Sequence, residues 1–354
     1  MGFFIITIFV ISIFFSLLEE RMIKDRLPVY LIIGLLLVLV SAFKVVGVDP
    51  DSDNYEYTFL HYDASKSFFS IEYSYIFLSW VVHFFTDDVH GLFLIYALMG
   101  VGIKLYAIPK FTNLWFLPVA MYISYYYVAH ECMQIRTGVL SGMFLLAIIA
   151  QGDGNKRKAF LFLLIGTLFH YSGIILFLML LLSNKQMTKK QRTKWMLVIP
   201  IAYLLYLFGF SFLFNGTLNI PYISDRIALY QSATEKGIGN FASVNVFSPF
   251  QLLTVFLYYY LMYFYETIEK FNPYFPLLMK LLNLGIFFYV AFAFFPVLAQ
   301  RVSMLYETVC IIVYTNIYYT LKPRWASISI IFLIGLLFLN YSLPYLGIDL
   351  FWKV

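Results

Sequence analysis

The chain has 354 residues, 62% of them apolar and 12% charged, with a mean hydropathy of +0.82. That balance excludes a soluble globular domain and makes lipid the main solvent. The net charge of +5 sits mostly on loop lysines and arginines, so it speaks of orientation in a membrane and not of nucleic acid.

A helix that crosses a bilayer needs about 20 apolar residues, with a range near 17 to 25. In chain order the apolar runs are 2–18, 29–48, 91–108, 114–128, 135–150, 195–214, 250–265, 277–298, 302–321 and 325–341. Segments 71–85 and 159–182 are candidates for re-entrant half-helices. The expectation is an all-α polytopic integral membrane protein of about 10–12 transmembrane helices. It forms one integral domain over residues 1–354, with outer loops near 49–70 and 215–248. The first run lacks a basic leader and ends in Glu19-Glu20 without a small-residue cleavage site, so it reads as a retained helix. Cys132 and Cys310 have no spacing that suggests a metal or a disulfide framework.

Cytoplasmic loops carry an excess of Lys and Arg. Arg21, Lys24 and Arg26 place the first loop inside and the acidic loop after the second helix outside. The basic loops 155–158 and 184–194 flank the same apolar segment, and both ask to be inside. A single crossing between them breaks the rule. A hairpin of two half-helices turning at His170-Tyr171-Ser172-Gly173 satisfies it, and brings His170 to a helix break in mid-bilayer. Lys104, Lys110, Lys156 and Lys322 then fall inside, while Arg136, Arg301 and the loop 215–248 face outward.

Charged side chains within apolar sequence are expensive and mark function. Arg136 opens the run 135–150; its forked guanidinium suits phosphate oxygens, or an ion pair with Glu131. Gly138 and Gly142 form a G-x-x-x-G spacing that admits a close helix neighbour. His170 can act as a base, a hydrogen-bond donor or a cation, with the Tyr171 and Ser172 hydroxyls beside it. Arg301, with Gln300 beside it, opens the last pair of helices and offers a second guanidinium for a diphosphate. The acidic loop carries Asp49, Asp51, Asp53, Glu56 and Asp63, with Glu72 at the start of the next helix. It lacks the glycine and terminal glutamate of a calcium-binding EF-hand loop, so a lone carboxylate serving as base or orienting a sugar hydroxyl is more economical. No Walker A loop, dinucleotide-binding glycine turn, zinc-protease motif or nucleophile elbow is present.

Taken together, Asp51 and Tyr55, the stretch Gln134-Ile135-Arg136-Thr137-Gly138, the pair Phe169-His170 with Ser172, and the late Arg301 resemble the EpsG-like branch of the Wzy-type polysaccharide polymerases. The family often has arginine followed by glutamine; here the glutamine, Gln134, precedes it. The resemblance implies a multi-pass enzyme of the bacterial inner membrane that joins repeat units carried on undecaprenyl diphosphate, for O-antigen, capsule or exopolysaccharide. Arg136 and Arg301 would bind the diphosphate, His170 or Asp51 would serve as base, and Tyr55 and Tyr171 would position sugars. No cofactor and no metal are called for; a chain-length regulator is a conceivable partner besides the bilayer and the lipid-linked oligosaccharide. Two other readings stay open: a transferase using a polyprenyl monophosphate sugar, or a glycan ligase; and a lipid-linked oligosaccharide flippase.

Overall fold

The computed structural model describes residues 1–61, 72–208 and 244–348. Most of the loop 215–248, the end of the run 195–214 and part of the loop 49–70 lie outside the described residues. Among the described residues there is helix and loop but no strand, as a chain in lipid requires when each segment must satisfy its own backbone groups. The chain is an all-α polytopic membrane protein. Three helices are long and apolar enough to cross a bilayer: Val89–Phe111, Ile135–Gly152 and Arg324–Leu346. A fourth crossing is available if Pro296–Glu307 and Cys310–Tyr319 count as one broken span.

The described residues fall into two compact units. The first comprises residues 1–181, 267–274 and 310–354. Its helices include α1 (Gly2–Leu18), α2 (Arg26–Ala42), α3 (Ser52–Leu60), α4 (Tyr73–His83), α5 (Val89–Phe111) and α6 (Phe116–Met121). Helix α6 runs on as a π-helix, Tyr122–Met133, before α7 (Ile135–Gly152) and α8 (Lys156–Phe169). Because a π-helix packs more residues into each turn, it turns His130, Glu131 and Cys132 into the interior, and it closes with Gln134 N–H donating to Ala129 O at 3.0 Å.

Glycine decides how α7 meets its neighbours. A Cβ on Gly142 would meet Ile103 of α5 at 3.0 Å, and one on Gly138 would strike the Glu131 carboxylate. The G-x-x-x-G spacing is therefore a packing face, Gly142 admitting α5 and Gly138 the Glu131 side chain of the π-helix. On the other side, a Cβ on Gly166 would come within 2.9 Å of Leu140 Cδ1, and one on Gly173 within 2.8 Å of the same atom. Two glycines seven residues apart can reach one leucine only if the chain turns back between them.

It does so at His170, whose backbone is extended at φ −153°, ψ 118° between α8 and a 3-10 helix, Tyr171–Leu181. The Phe160 and Phe177 rings, on opposite arms, lie 5.2 Å apart. The hairpin expected from the two basic loops is thus present. Its arms are about 21 and 22 Å long at 1.5 Å per α-helical and 2.0 Å per 3-10 residue, short of a 30 Å hydrocarbon core. Cysteines placed at Lys156 and Leu181, the two ends of the hairpin, are therefore expected to be labelled by an impermeant maleimide from the same side of the membrane. Labelling from opposite sides would mean that the segment crosses.

The second unit, residues 182–266 and 275–309, includes α9 (Lys189–Leu207), α10 (Pro249–Tyr263), α11 (Phe275–Ala291) and α12 (Pro296–Glu307). Thr188 and Gln191 form a capping box at the start of α9, and Ser248 caps α10. Two expected boundaries shift here. The run 277–298 stops at Ala291, and the next helix starts at Pro296, where a missing N–H costs nothing in the first turn. Arg301 consequently lies in the middle of α12 and not at the start of a helix.

Candidate active site

The acidic loop is fixed before the site begins. Lys44 Nζ donates to Asp49 Oδ2 at 2.8 Å, and both side chains are buried. Asp49 Oδ1 in turn accepts the N–H groups of Asp51 and Ser52 at 3.1 and 3.0 Å, serving as the anchor at the start of α3. Asp49 is thereby committed to structure. Asp51 stands half-buried in the N-cap position, one helical turn before Tyr55, and its charge acts on the Tyr55 phenol. Burial pushes that phenol up to about 12, with Arg136 opposing and Asp51 adding to the rise. Tyr55 is therefore a neutral hydroxyl and a ring, suited to placing a sugar and unsuited to taking a proton.

Three helices deliver the charged groups. Arg136 stands in the first turn of α7, His170 at the hairpin turn after α8, and Glu72 at the N-terminus of α4. Glu72 joins the other two: its Oε2 accepts from Arg136 Nη1, and its Oε1 accepts from His170 Nδ1 at 2.6 Å. Burial works to raise the Glu72 carboxyl, but the His170 hydrogen bond and the Arg136 charge outweigh it and hold the group below its ordinary value. It is an ionised acceptor. The Glu72 side chain is 6% exposed, whereas Arg136 and His170 keep 23% and 19%, so the cation and the imidazole can be reached from outside while the carboxylate cannot.

Aromatic rings surround the guanidinium. Arg136 Cζ lies 5.4 Å from the Tyr55 ring centre and 5.9 Å from that of Tyr75, within cation–π range. The Tyr75 hydroxyl donates to Tyr55 O at 2.6 Å, locking α3 to α4. Tyr96 of α5 meets Phe169, the residue before His170, edge to face at 6.1 Å. These rings belong to one buried cluster with Phe59, Leu92, Phe93, Ile135 and Val139, so the site is held by packing and not by the loop alone.

Sequence reasoning placed several of these residues and missed others. Arg136, His170 and Tyr55 converge, and Asp51 lies one turn from Tyr55. Tyr171 begins the 3-10 arm with 37% of its surface exposed. Arg301 is exposed on α12 in the second unit, and the two units are described separately. Glu72, at the start of the helix after the acidic loop, is not among the site residues expected from the sequence. Its partners lie 64 and 98 residues away. The sequence signal that sets it apart is its position: it is the last acid before an aromatic helix, and so the one carried into the interior.

The suggested Arg136–Glu131 pair does not form. Glu131 Oε1 instead accepts from Lys104 Nζ at 2.6 Å and from the Tyr122 hydroxyl at 2.8 Å, and Lys104 also donates to Gly138 O at 2.6 Å. Lys104, expected among the cytoplasmic positive charges, is fully buried. Its position at the centre of α5 and facing the π-helix makes an internal carboxylate its natural partner. The pair ties α5 and the π-helix to the first turns of α7, from which Arg136 projects. Lys104→Ala leaves Glu131 charged and unpaired in the interior, so a loss of about 3–5 kcal/mol is expected, read as a lower melting temperature in detergent. Lys104→Met combined with Glu131→Gln should recover much of it, because the uncompensated charge is gone.

No solved structure matches the chain. The chain is 22% identical over 307 residues to the amylovoran biosynthesis protein AmsC of Erwinia amylovora, an alignment covering 81% of this chain and 78% of that protein. The family model described as EpsG family matches residues 27–349, nearly the whole chain and every residue of the candidate site. The chain belongs to the EpsG family.

Proposed function

We propose that the protein is a polysaccharide repeat-unit polymerase, a metal-independent glycosyltransferase of the bacterial inner membrane. It transfers glycan from undecaprenyl diphosphate to the sugar end of a second lipid-linked repeat unit at the outer face. The observation that carries this reading is the junction at Glu72: a guanidinium suited to phosphate and an imidazole suited to a hydroxyl proton are bound to one carboxylate, beside tyrosines suited to sugar rings. Membership of the EpsG family and the likeness to an amylovoran biosynthesis protein support a role in polysaccharide assembly.

In this reaction an acceptor hydroxyl attacks the anomeric carbon of the donor glycan. The new C–O bond forms as the bond from that carbon to the diphosphate oxygen breaks, and the electron pair leaves with the diphosphate. Arg136 stabilises the charge that develops there, a contribution that grows as the bond breaks. The hydroxyl proton passes to His170; Asp51, one turn from Tyr55, is the second candidate base. Tyr55 and Tyr171 hold sugars. The energy resides in the sugar–diphosphate bond, so no nucleotide enters.

Arg301 is assigned to phosphate of the lipid-linked substrate as an exposed guanidinium on α12. Arg301→Ala is expected to leave the protein inserted and to collapse the surface-glycan ladder of a complemented deletion strain to single repeats. A normal ladder from well-expressed Arg301→Ala would remove that residue from the site. For the function as a whole, the deletion strain should accumulate single lipid-linked units on the outer face of the membrane. Accumulation on the inner face would identify a flippase and overturn the proposal.

A further inference from the structure

Resting on the reading of His170 as base, we infer that Glu72 is a positioning residue: it fixes the His170 imidazole in the tautomer whose Nε2 accepts a proton, and holds Arg136 beside it. A carboxylate can only accept, so the 2.6 Å contact with Glu72 Oε1 puts a proton on His170 Nδ1 and leaves the Nε2 lone pair for the acceptor hydroxyl. The second oxygen is taken by Arg136. Each oxygen thus has its own partner, one for the group that meets the proton and one for the group that meets the diphosphate.

The local geometry argues against an ordinary helix cap. Glu72 stands in the N-cap position of α4 with an extended backbone, φ −69° and ψ 142°, where a short side chain such as Asp or Ser commonly accepts the N–H groups of the first turn. It makes no such bond. The side chain points away from its own helix toward residues of α7 and the hairpin. A simple structural ion pair would account for Arg136 but not for the imidazole, which sits at a chain reversal and remains partly open to the outside. In this buried position the carboxylate is held ionised by its two partners, so it orients the ring with a full charge.

Glu72→Gln separates this role from bulk and shape. The amide has one acceptor end. If its oxygen faces His170, its NH2 group confronts the Arg136 guanidinium; if its oxygen faces Arg136, the NH2 group donates to Nδ1 and forces the proton onto Nε2, the wrong tautomer for a base. The experiment uses the full chain in proteoliposomes, fed undecaprenyl-diphosphate-linked single repeat units extracted from a deletion strain. Linkage rate is followed against lipid concentration and pH.

Glu72→Gln is expected to lower kcat by about 10²-fold or more and to flatten the rise of kcat with pH. Added to His170→Ala, it should cost less than about threefold further, because residues that act as a unit do not add. Glu72→Asp keeps the charge and shortens the reach; it should show a smaller loss with the same dependence on His170, and serves if the glutamine variant is poorly folded. Wild-type kcat and pH profile in Glu72→Gln, with His170→Ala inactive, would overturn the positioning role alone. A Glu72→Gln loss of equal size with and without His170 would do the same. Wild-type turnover in His170→Ala would remove the base itself, and with it the reading on which this inference rests.

Discussion

Alanine at position 136 is expected to lower the rate of repeat-unit linkage by about 10³-fold while leaving the protein inserted and folded. A single preorganised donor to a developing negative charge contributes about 10²–10³ in kcat, and an arginine placed on a departing phosphate group can contribute more. Arg136 carries both burdens. It has a permanent charge in a largely buried setting, and one of its nitrogens already binds a carboxylate that fixes its direction. Its removal would also leave Glu72 bonded to His170 alone, which changes the base as well as the cation. Arg136→Lys keeps the charge but not the fork, and should recover only part of the loss. The measurement is the surface-glycan ladder together with the initial linkage rate in proteoliposomes; a full-length ladder from Arg136→Ala would contradict the assignment.

His170→Ala is expected to cost about 10²–10⁴ in kcat, the usual contribution of a placed general base. The substrate dissociation constant should change little, since the guanidinium proposed to bind phosphate stays in place. The pH dependence is informative here. A base must be deprotonated to act, so wild-type kcat should rise with pH, and the alanine variant should lose that rise. A variant that keeps both its rate and its pH profile would transfer the base role to Asp51, whose replacement by asparagine would then carry the loss.

Much of this arrangement could be read from the chain, for identifiable reasons. Hydropathy located the helices because lipid imposes a minimum apolar length, and α1 spans Gly2–Leu18, the limits expected for the first run. The hairpin at His170 followed from a contradiction: two basic loops on the same side cannot flank a single crossing. Gly138 and Gly142 gave the packing face on α7 because small residues are what close helix approach requires. The hidden parts are those that depend on partners distant in sequence. Lys104 looked like a topology marker because a lysine in an apolar run carries no sign of whether it faces lipid, water or a carboxylate. Glu72 looked like one more acid in an acidic loop; only the fold shows that it, and not Asp49 or Asp51, meets Arg136 and His170. Asp49 is in turn held by Lys44, a pairing five residues apart that the many nearby acids obscured.

The most direct test of the account is to supply the purified chain, in proteoliposomes, with undecaprenyl-diphosphate-linked single repeat units as the sole substrate, without nucleotide sugar, ATP or added divalent metal, and to measure glycan length and free lipid diphosphate together. The account expects chains of two or more repeats, with one undecaprenyl diphosphate released for each new linkage and none released by the Arg136→Ala protein. Unchanged single units from an active preparation, or polymer formed without release of the lipid diphosphate, would contradict it.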